Sequence, residues 1–532
     1  MSEKVFGIDL GTTYSCIATV DENGEAKVIK NKEGTNTTPS VVNFADPTSV
    51  SVGQVAKETA VIEPQNTVSL VKTLIGKTDF AICYNGEDKS PEEVSSYIVR
   101  KVAQDAGEQL NDEVKKVVIT CPAYFGNAER IATKNAGIIA GLDVLEIISE
   151  PTAAAVYYGC TNSDSEKTIL VYDLGGGTFD VTIMRIVPGQ ITVICSDGNH
   201  DLGGKDWDNA VMNYLAQEFC NATGFDGDFD EYAQQDLRLK AERAKTQLTG
   251  KEETMVMLDA AGKRAKVTLT RTTFHEITES LLNESITKTD AAIAVAKEKG
   301  YTIDEILLVG GSTKMPQVHD ALVKKYGMEP KILEPDEAVA KGAALYAANL
   351  MGANIGGWAG EDENAGAVQS DSDGEFALPS SAPKQPIKIV VTTTKSYALE
   401  AIRNNESKCC NMIIKNIEMP DDCITVTRKF ATQEDNQSAA ILQVYESDFD
   451  DETYDVDEQY KLGEAVLELA GNTPAGSGIE VTFTLNREGI LEVTGKELSS
   501  GRDVHATMQA TGVMAEEKVE ELKKKTGMIA IL

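Results

Sequence analysis

Apolar and polar positions along the chain change their spacing at two places. Through residues 1–350, short apolar runs alternate with segments whose apolar residues recur every three or four positions. That is the pattern of strands alternating with helices in an α/β domain. Val5 to Ile8 reads as a strand that stops at Asp9-Leu10-Gly11. Val117 to Thr120 and Ile306 to Val309 read as two more, the second running into Gly310-Gly311. Ser90-Pro91-Glu92-Glu93 is a capping box with proline at the first helical position, and it predicts a helix to about Leu110. Asp236 to Leu248 and Thr273 to Lys299 read as helices, and Asp336 is expected to cap an alanine-rich helix to about Leu350.

The spacing is lost over residues 352–385, which are rich in Gly, Ala, Ser, Asp and Glu and poor in large apolar residues. Such a stretch buries too little surface to order itself and is expected to be a flexible linker. An apolar run, Ile387 to Val391, follows it. From about 392 to 510 the period becomes two. In Ile479-Glu480-Val481-Thr482-Phe483-Thr484-Leu485 the apolar residues face one side, Asn486 to Gly489 turn, and Ile490 to Val493 return. This is an antiparallel hairpin of an all-β domain. Ala515 to Lys525 reads as a short charged helix before Met528-Ile-Ala-Ile-Leu532. The expected units are 1–351, 352–391 (linker), 392–512 and 513–532.

Charge narrows the partners. The 532 residues carry 50 basic and 84 acidic side chains, a net −34. Phosphate backbones and anionic lipid are repelled, so no nucleic acid and no membrane surface is expected as a partner. Unfolded cationic or apolar segments fit better. The nine cysteines show no zinc-finger spacing, and Cys409-Cys410 are adjacent. Free thiols in a reducing cytosol are expected. Met1 to Lys4 leads directly into a strand, without a signal peptide, and no run approaches the roughly 18 apolar residues of a membrane span. A cytoplasmic location is the expectation.

The chemistry lies in an approximate internal repeat. Asp9-Leu10-Gly11-Thr12-Thr13 recurs as Asp173-Leu174-Gly175-Gly176-Gly177-Thr178, each after an apolar strand. Glycines let backbone N–H groups approach phosphate oxygens, threonine hydroxyls add donors, and an aspartate at each strand end suits hydrated Mg²⁺. Two such turns facing each other would clamp a triphosphate. Leu307-Leu308-Val309-Gly310-Gly311-Ser312-Thr313 suits the close approach of a base or ribose. Gly76-Lys77-Thr78 is not a Walker A loop, because Val71 stands where that motif needs glycine.

Longer motifs carry a resemblance. Gly7-Ile-Asp-Leu-Gly-Thr-Thr-Tyr-Ser15, Ile148-Ser-Glu-Pro-Thr-Ala-Ala-Ala155, Val171-Tyr-Asp-Leu-Gly-Gly-Gly-Thr-Phe-Asp180 and Val309-Gly-Gly-Ser-Thr313 resemble signatures of the DnaK-type 70 kDa heat-shock chaperones. Asp201-Leu-Gly-Gly204, Glu242-Arg-Ala-Lys245, Glu434-Asp-Asn-Gln-Ser-Ala439 and Gly489-Ile-Leu-Glu-Val493 extend it over about residues 4–351 and 387–512. The resemblance implies an actin-like, ribonuclease H-like ATPase domain of two duplicated lobes. An antiparallel β-sandwich peptide-binding domain and a short helix would follow. It also implies ATP hydrolysis that controls the grip on unfolded or extended polypeptides.

It further implies residue roles. Lys72 would face the γ-phosphate and its attacking water, and Glu150, Asp173, Thr178 and Asp180 would complete the catalytic set. Asp9 and Asp173 would hold Mg²⁺, with K⁺ as a further candidate ion. Gly11, Thr12, Thr13 and Tyr14 would bind ATP or ADP from one side, and Gly175, Gly176, Gly177, Gly203 and Gly204 from the other. Glu242, Lys245 and Thr249 would hold the ribose and adenine edge. Gly310, Gly311, Ser312, Lys314 and Asp336 would close the nucleoside pocket. Leu399, Ala440 and Leu442 would line the peptide pocket, although ordinary sheet core is the plain alternative for all three.

Five departures from the family pattern qualify this. The stretch from Gly76 to Pro91 is short, trimming one lobe. Lys314 stands where an arginine is usual, which removes a planar group that stacks on adenine. Lys205 replaces an acidic residue. Glu146 replaces an arginine used to engage J-domain co-chaperones, so a dedicated J-domain partner is expected beside a nucleotide exchange factor. Val391 takes an acidic position in the linker run, and only about 20 residues follow the β-domain, where a full lid needs roughly a hundred. A reduced clamp that releases peptide quickly is expected. A nucleotide-gated scaffold with little hydrolysis is the alternative. A sugar kinase or filament-forming actin relative would leave the β-domain unexplained.

Overall fold

Strand Val5–Asp9 is apolar on both faces because both are covered. Phe6 and Ile8 join one core with the helix Pro91–Leu110, while Val5 joins a second core with the helix Ala338–Leu350. A computed structural model describes residues 4–77, 82–161, 166–352, 387–419, 422–498 and 513–532, with the strand pairs Asp503–Val504 and Gln509–Ala510. The expected linker over 353–386 lies outside the described residues.

The first lobe's sheet runs Asp143–Ser149, Lys116–Cys121, Val5–Asp9, Tyr14–Val20, Ala26–Val28. The second runs Lys331–Ile332, Glu305–Val309, Lys167–Leu174, Phe179–Val187, Gln190–Asn199. Both pair their central strand in parallel on one side and antiparallel, through a hairpin, on the other. The repeat seen in the motifs is therefore a repeat of topology. Helices Glu150–Thr161 and Ala338–Leu350 pack against each other between the two sheets, and their alanines form the shared core. Small side chains suit this close helix contact.

Ser90 caps its helix as expected, its hydroxyl accepting from the Glu93 N–H at 3.2 Å. Asp336 does not cap the helix Ala338–Leu350, whose cap position is Glu337 without a side-chain bond. Lys314 takes the Asp336 carboxylate instead. The expected helices over 236–248 and 273–299 extend over Glu231–Gly250 and Arg271–Glu298, with Asp230 and Thr270 as caps.

The later strands form two sheets. One contains Ser396–Arg403, Glu406–Ile413, Gln437–Ser447 and Lys461–Thr473; the other contains Cys423–Ala431, Gly478–Asn486 and Leu491–Glu497. Alternate residues of both, among them Leu442, Val444, Leu467, Val481, Phe483 and Val493, close a core between them. The apolar run after the linker is a strand, Lys388–Thr392. It pairs in parallel with Gln190–Asn199 and antiparallel with Glu418–Met419, and so stitches the second lobe to the sandwich. Helix Glu516–Gly527 lies on the helix Asn127–Ile139, and Ala530–Ile531 adds to the first lobe beside Ser49–Val52. None of the nine cysteines is in a disulfide. No helix among the described residues is long and apolar enough to cross a membrane.

Candidate functional site

The two glycine turns face each other across a cleft of about 450 Å³ between the lobes. Each turn leaves the carboxyl end of a central strand, where backbone N–H groups are no longer used by the sheet. The second turn is closed by the Gly175 N–H on the Thr178 carbonyl at 3.1 Å, and a third turn joins it through the Gly204 N–H on Gly175 O at 2.9 Å. Glycine is required here by proximity. A Cβ on Gly176 would lie 1.9 Å from Thr13 Oγ1, and one on Gly203 would lie 2.5 Å from the Gly177 backbone.

Gly11, Thr12, Thr13 and Tyr14 line the cleft from the first lobe, and Gly175, Gly176, Thr178 and Gly204 from the second. Gly177 and Gly203 do not line it; they pack against each other behind the turn. Glu242, Lys245, Thr249, Gly310, Gly311, Ser312, Lys314 and Asp336 line the outer part. Ser312 Oγ donates to Gly175 O at 2.9 Å, and Lys245 Nζ donates to Gly204 O at 3.0 Å, which ties this rim to the turns.

Asp9, Lys72, Glu150 and Asp173 meet at the floor, where Lys72 Nζ donates to the Glu150 carboxylate. Asp180 lies just behind, accepting from the Tyr124 N–H at 2.9 Å. Burial, with the charge of Glu150, pushes Asp9 and Asp180 up to about 7 and Asp173 well above the usual carboxylate range. Burial alone would lower the Lys72 ammonium, but Glu150 and Asp9 outweigh it and hold it above its ordinary value. Asp9, Asp173 and Asp180 share one lysine with Glu150, and these three aspartates resist ionising together for want of positive charge. Hard oxygen donors short of a cation suit Mg²⁺. Among the described residues no three or more His, Cys, Asp or Glu side chains gather closely enough to cage a metal. An ion that keeps its waters and shares phosphate oxygens fits that spacing.

Sequence reasoning missed Lys57 and Asp208. Lys57 Nζ reaches Glu242 Oε1 at 2.7 Å and Tyr14 OH at 3.0 Å, bridging the two lobes over the cleft. Nothing near Lys57 in the sequence signals this. Asp208 pairs with Lys245 at 2.8 Å, and its place four residues after Gly204 on one helix face was the available signal.

The departures fall in distinct places. Lys205 does not face the nucleotide cleft; it lines a neighbouring cavity, 3.8 Å from Asp201. Glu146 Oε1 accepts from Tyr346 OH at 2.8 Å, and Arg487 of the sandwich donates to the same Tyr346 oxygen at 3.3 Å. Leu399, Ala440 and Leu442 come together, but inside the sandwich core rather than at its surface.

With this geometry in view, the comparisons are direct. The family model described as Hsp70 protein matches residues 5–83, 78–357 and 382–530. The "Chaperone protein DnaK" of Thermosipho melanesiensis is 38% identical over 530 residues, 98% of this chain and 82% of that protein. The same-named protein of Thermotoga maritima is 38% identical over 536 residues, 98% and 83%. That of Halobacterium salinarum is 36% identical over 533 residues, 98% and 78%.

Proposed function

This chain belongs to the Hsp70 family, and from that premise we propose that it is an ATP-hydrolysing molecular chaperone whose bound nucleotide sets its affinity for unfolded polypeptide. The single observation that carries this reading is the pair of facing glycine turns above a floor holding Lys72, Glu150 and Asp173. The repeated strand pairing of the two lobes supports an actin-like ATPase fold.

ATP enters with its phosphates between the turns at Thr12–Thr13 and Gly175–Gly176 and its nucleoside against Glu242, Lys245, Gly311 and Lys314. Asp9 and Asp173 would hold Mg²⁺, which would supply charge neutralisation of the phosphates. Lys72 presents a full positive charge to the γ-phosphoryl, held in place by Glu150. Thr178 donates its hydroxyl to the same group, and Asp180 orients the attacking water from behind. Little covalent chemistry is asked of the protein; position and charge supply the rate. K⁺ beside the phosphates is a further part of the proposal.

The sandwich binds extended polypeptide, with Leu399, Ala440 and Leu442 as its apolar floor once the sheet edge opens. Co-chaperones of the J-domain and nucleotide-exchange classes are the proposed partners. Glu146 is engaged with Tyr346, so the J-domain contact falls to a partner of matching charge.

Single-turnover hydrolysis tests the reading. The wild type should convert bound ATP to ADP, and Lys72→Ala should slow conversion by roughly 100-fold or more while ATP still binds. Unaltered conversion in Lys72→Ala, or none in the wild type, would remove it.

A further inference from the structure

Two departures noted in the sequence, the short stretch between Gly76 and Pro91 and the segment after Ala515, meet in space. Ile82 and Tyr84 of the short stretch and Ile529 and Ile531 of the late segment pack on the same first-lobe core. Lys525 Nζ pairs with Glu87 at 2.7 Å. The Ala530 N–H donates to Thr48 O at 3.0 Å and the Leu532 N–H to Val50 O at 2.9 Å, extending the sheet as a parallel strand. Strand addition of this kind secures a segment through its backbone.

Arg100 adds a side-chain tie to this contact. Its guanidinium is buried, and it donates to the Thr526 and Ile529 carbonyls. Burial lowers its pKa, and its Nε has no partner. Without the late segment both terminal nitrogens lose these carbonyl acceptors and must find water instead. Thr526 Oγ1 adds a bond to Ile139 O at 3.1 Å, while Val519 and Leu522 pack on Ile139.

We propose that residues 516–532 are a strap that keeps the β-sandwich beside the first lobe whichever nucleotide is bound. Six Cα–Cα steps separate Ala510, in a sandwich strand, from Glu516, the first of the strap helix. They span at most about 21 Å. With Lys388–Thr392 stitched into the second lobe, the sandwich is held at both ends. It can pivot and change its grip on peptide, but it cannot depart. This rests on the two-domain reading and not on ATP hydrolysis.

The test uses the full chain with ADP and with a non-hydrolysable ATP analogue. Small-angle scattering should give radii of gyration within about 1 Å of each other, near the roughly 24 Å of one compact body of this length. The Ala530 and Leu532 amides should be protected from hydrogen exchange at least about 100-fold in both states. The double variant Ala530→Pro, Ile531→Glu should expand with ADP alone. If that variant does not fold, amide protection in the unaltered chain decides. Fast exchange at Ala530 and Leu532 with ADP, or expansion of the wild type equal to the variant's, overturns the strap. ATP turnover in the same samples separates the two readings. Turnover with lost protection sinks only the strap, and protection without turnover sinks only the proposed ATPase.

Discussion

Lys57 Nζ lies 2.7 Å from Glu242 Oε1, so one ion pair joins helix Gln54–Thr59 of the first lobe to helix Glu231–Gly250 of the second across the mouth of the nucleotide cleft. Both side chains are mostly buried, at 17% and 23% exposure, and the Tyr14 hydroxyl completes the contact. The pair ties the lobes together beside the cleft proposed to hold nucleotide.

Lys57→Ala should therefore speed ADP release. A partly buried pair of this kind contributes about 1 kcal/mol, which is roughly fivefold in rate. Stopped-flow displacement of a fluorescent nucleotide reads this directly. The rate of hydrolysis of bound ATP should stay within about twofold, since Lys57 touches none of the floor residues.

The Glu146–Tyr346–Arg487 contact should carry part of the communication between sandwich and lobes. Arg487 also donates to the Ile389 carbonyl at 3.3 Å, so it touches the stitching strand as well. Glu146→Arg sets a cation against Arg487 and should cost about 1–2 kcal/mol of docking. The ATP-dependent change in peptide affinity should be largely lost. Adding Arg487→Glu should recover most of it, and a double-mutant cycle on that affinity change measures the coupling.

Docking should also depend on pH through Glu446. Its carboxylate accepts from the Asn127 N–H at 3.0 Å across the interface. Burial, then the neighbouring Glu129, raises it from 4.5 to about 7; the Asn127 N–H, Lys395 and Tyr397 oppose the shift without reversing it. A raised carboxyl binds its proton more tightly folded than unfolded. Its contribution is complete below about pH 4.5 and is lost as pH rises through about 7. The amount is on the order of 3 kcal/mol at most. The Tm of the wild type should fall over this range by more than that of Glu446→Gln, and scanning calorimetry between pH 5 and 8 checks it.

What was legible in the sequence was local. Each phosphate turn is a strand, an aspartate and glycines within a few residues, so spacing alone locates it. The hairpin at 479–493 was legible for the same reason, because its period of two survives any tertiary context. Lys57 and Glu242 stand 185 residues apart, and only lobe closure brings them together. Asp336 carried a generic capping signal, and the nearer charge of Lys314 claimed its carboxylate. The strap was hidden because Ala530–Ile531 is two residues long, too short to show a period, and its stability comes from Arg100 and the sheet edge.

The account stands most directly on the affinity of the full chain for a fluorescent extended peptide, measured with saturating ATP and with ADP. It predicts that Kd differs by at least about fivefold between the two nucleotides, a coupling of about 1 kcal/mol, and that Lys72→Ala keeps the ATP value roughly 100-fold longer than the wild type. Equal Kd values with both nucleotides, in a chain that hydrolyses ATP, would contradict it.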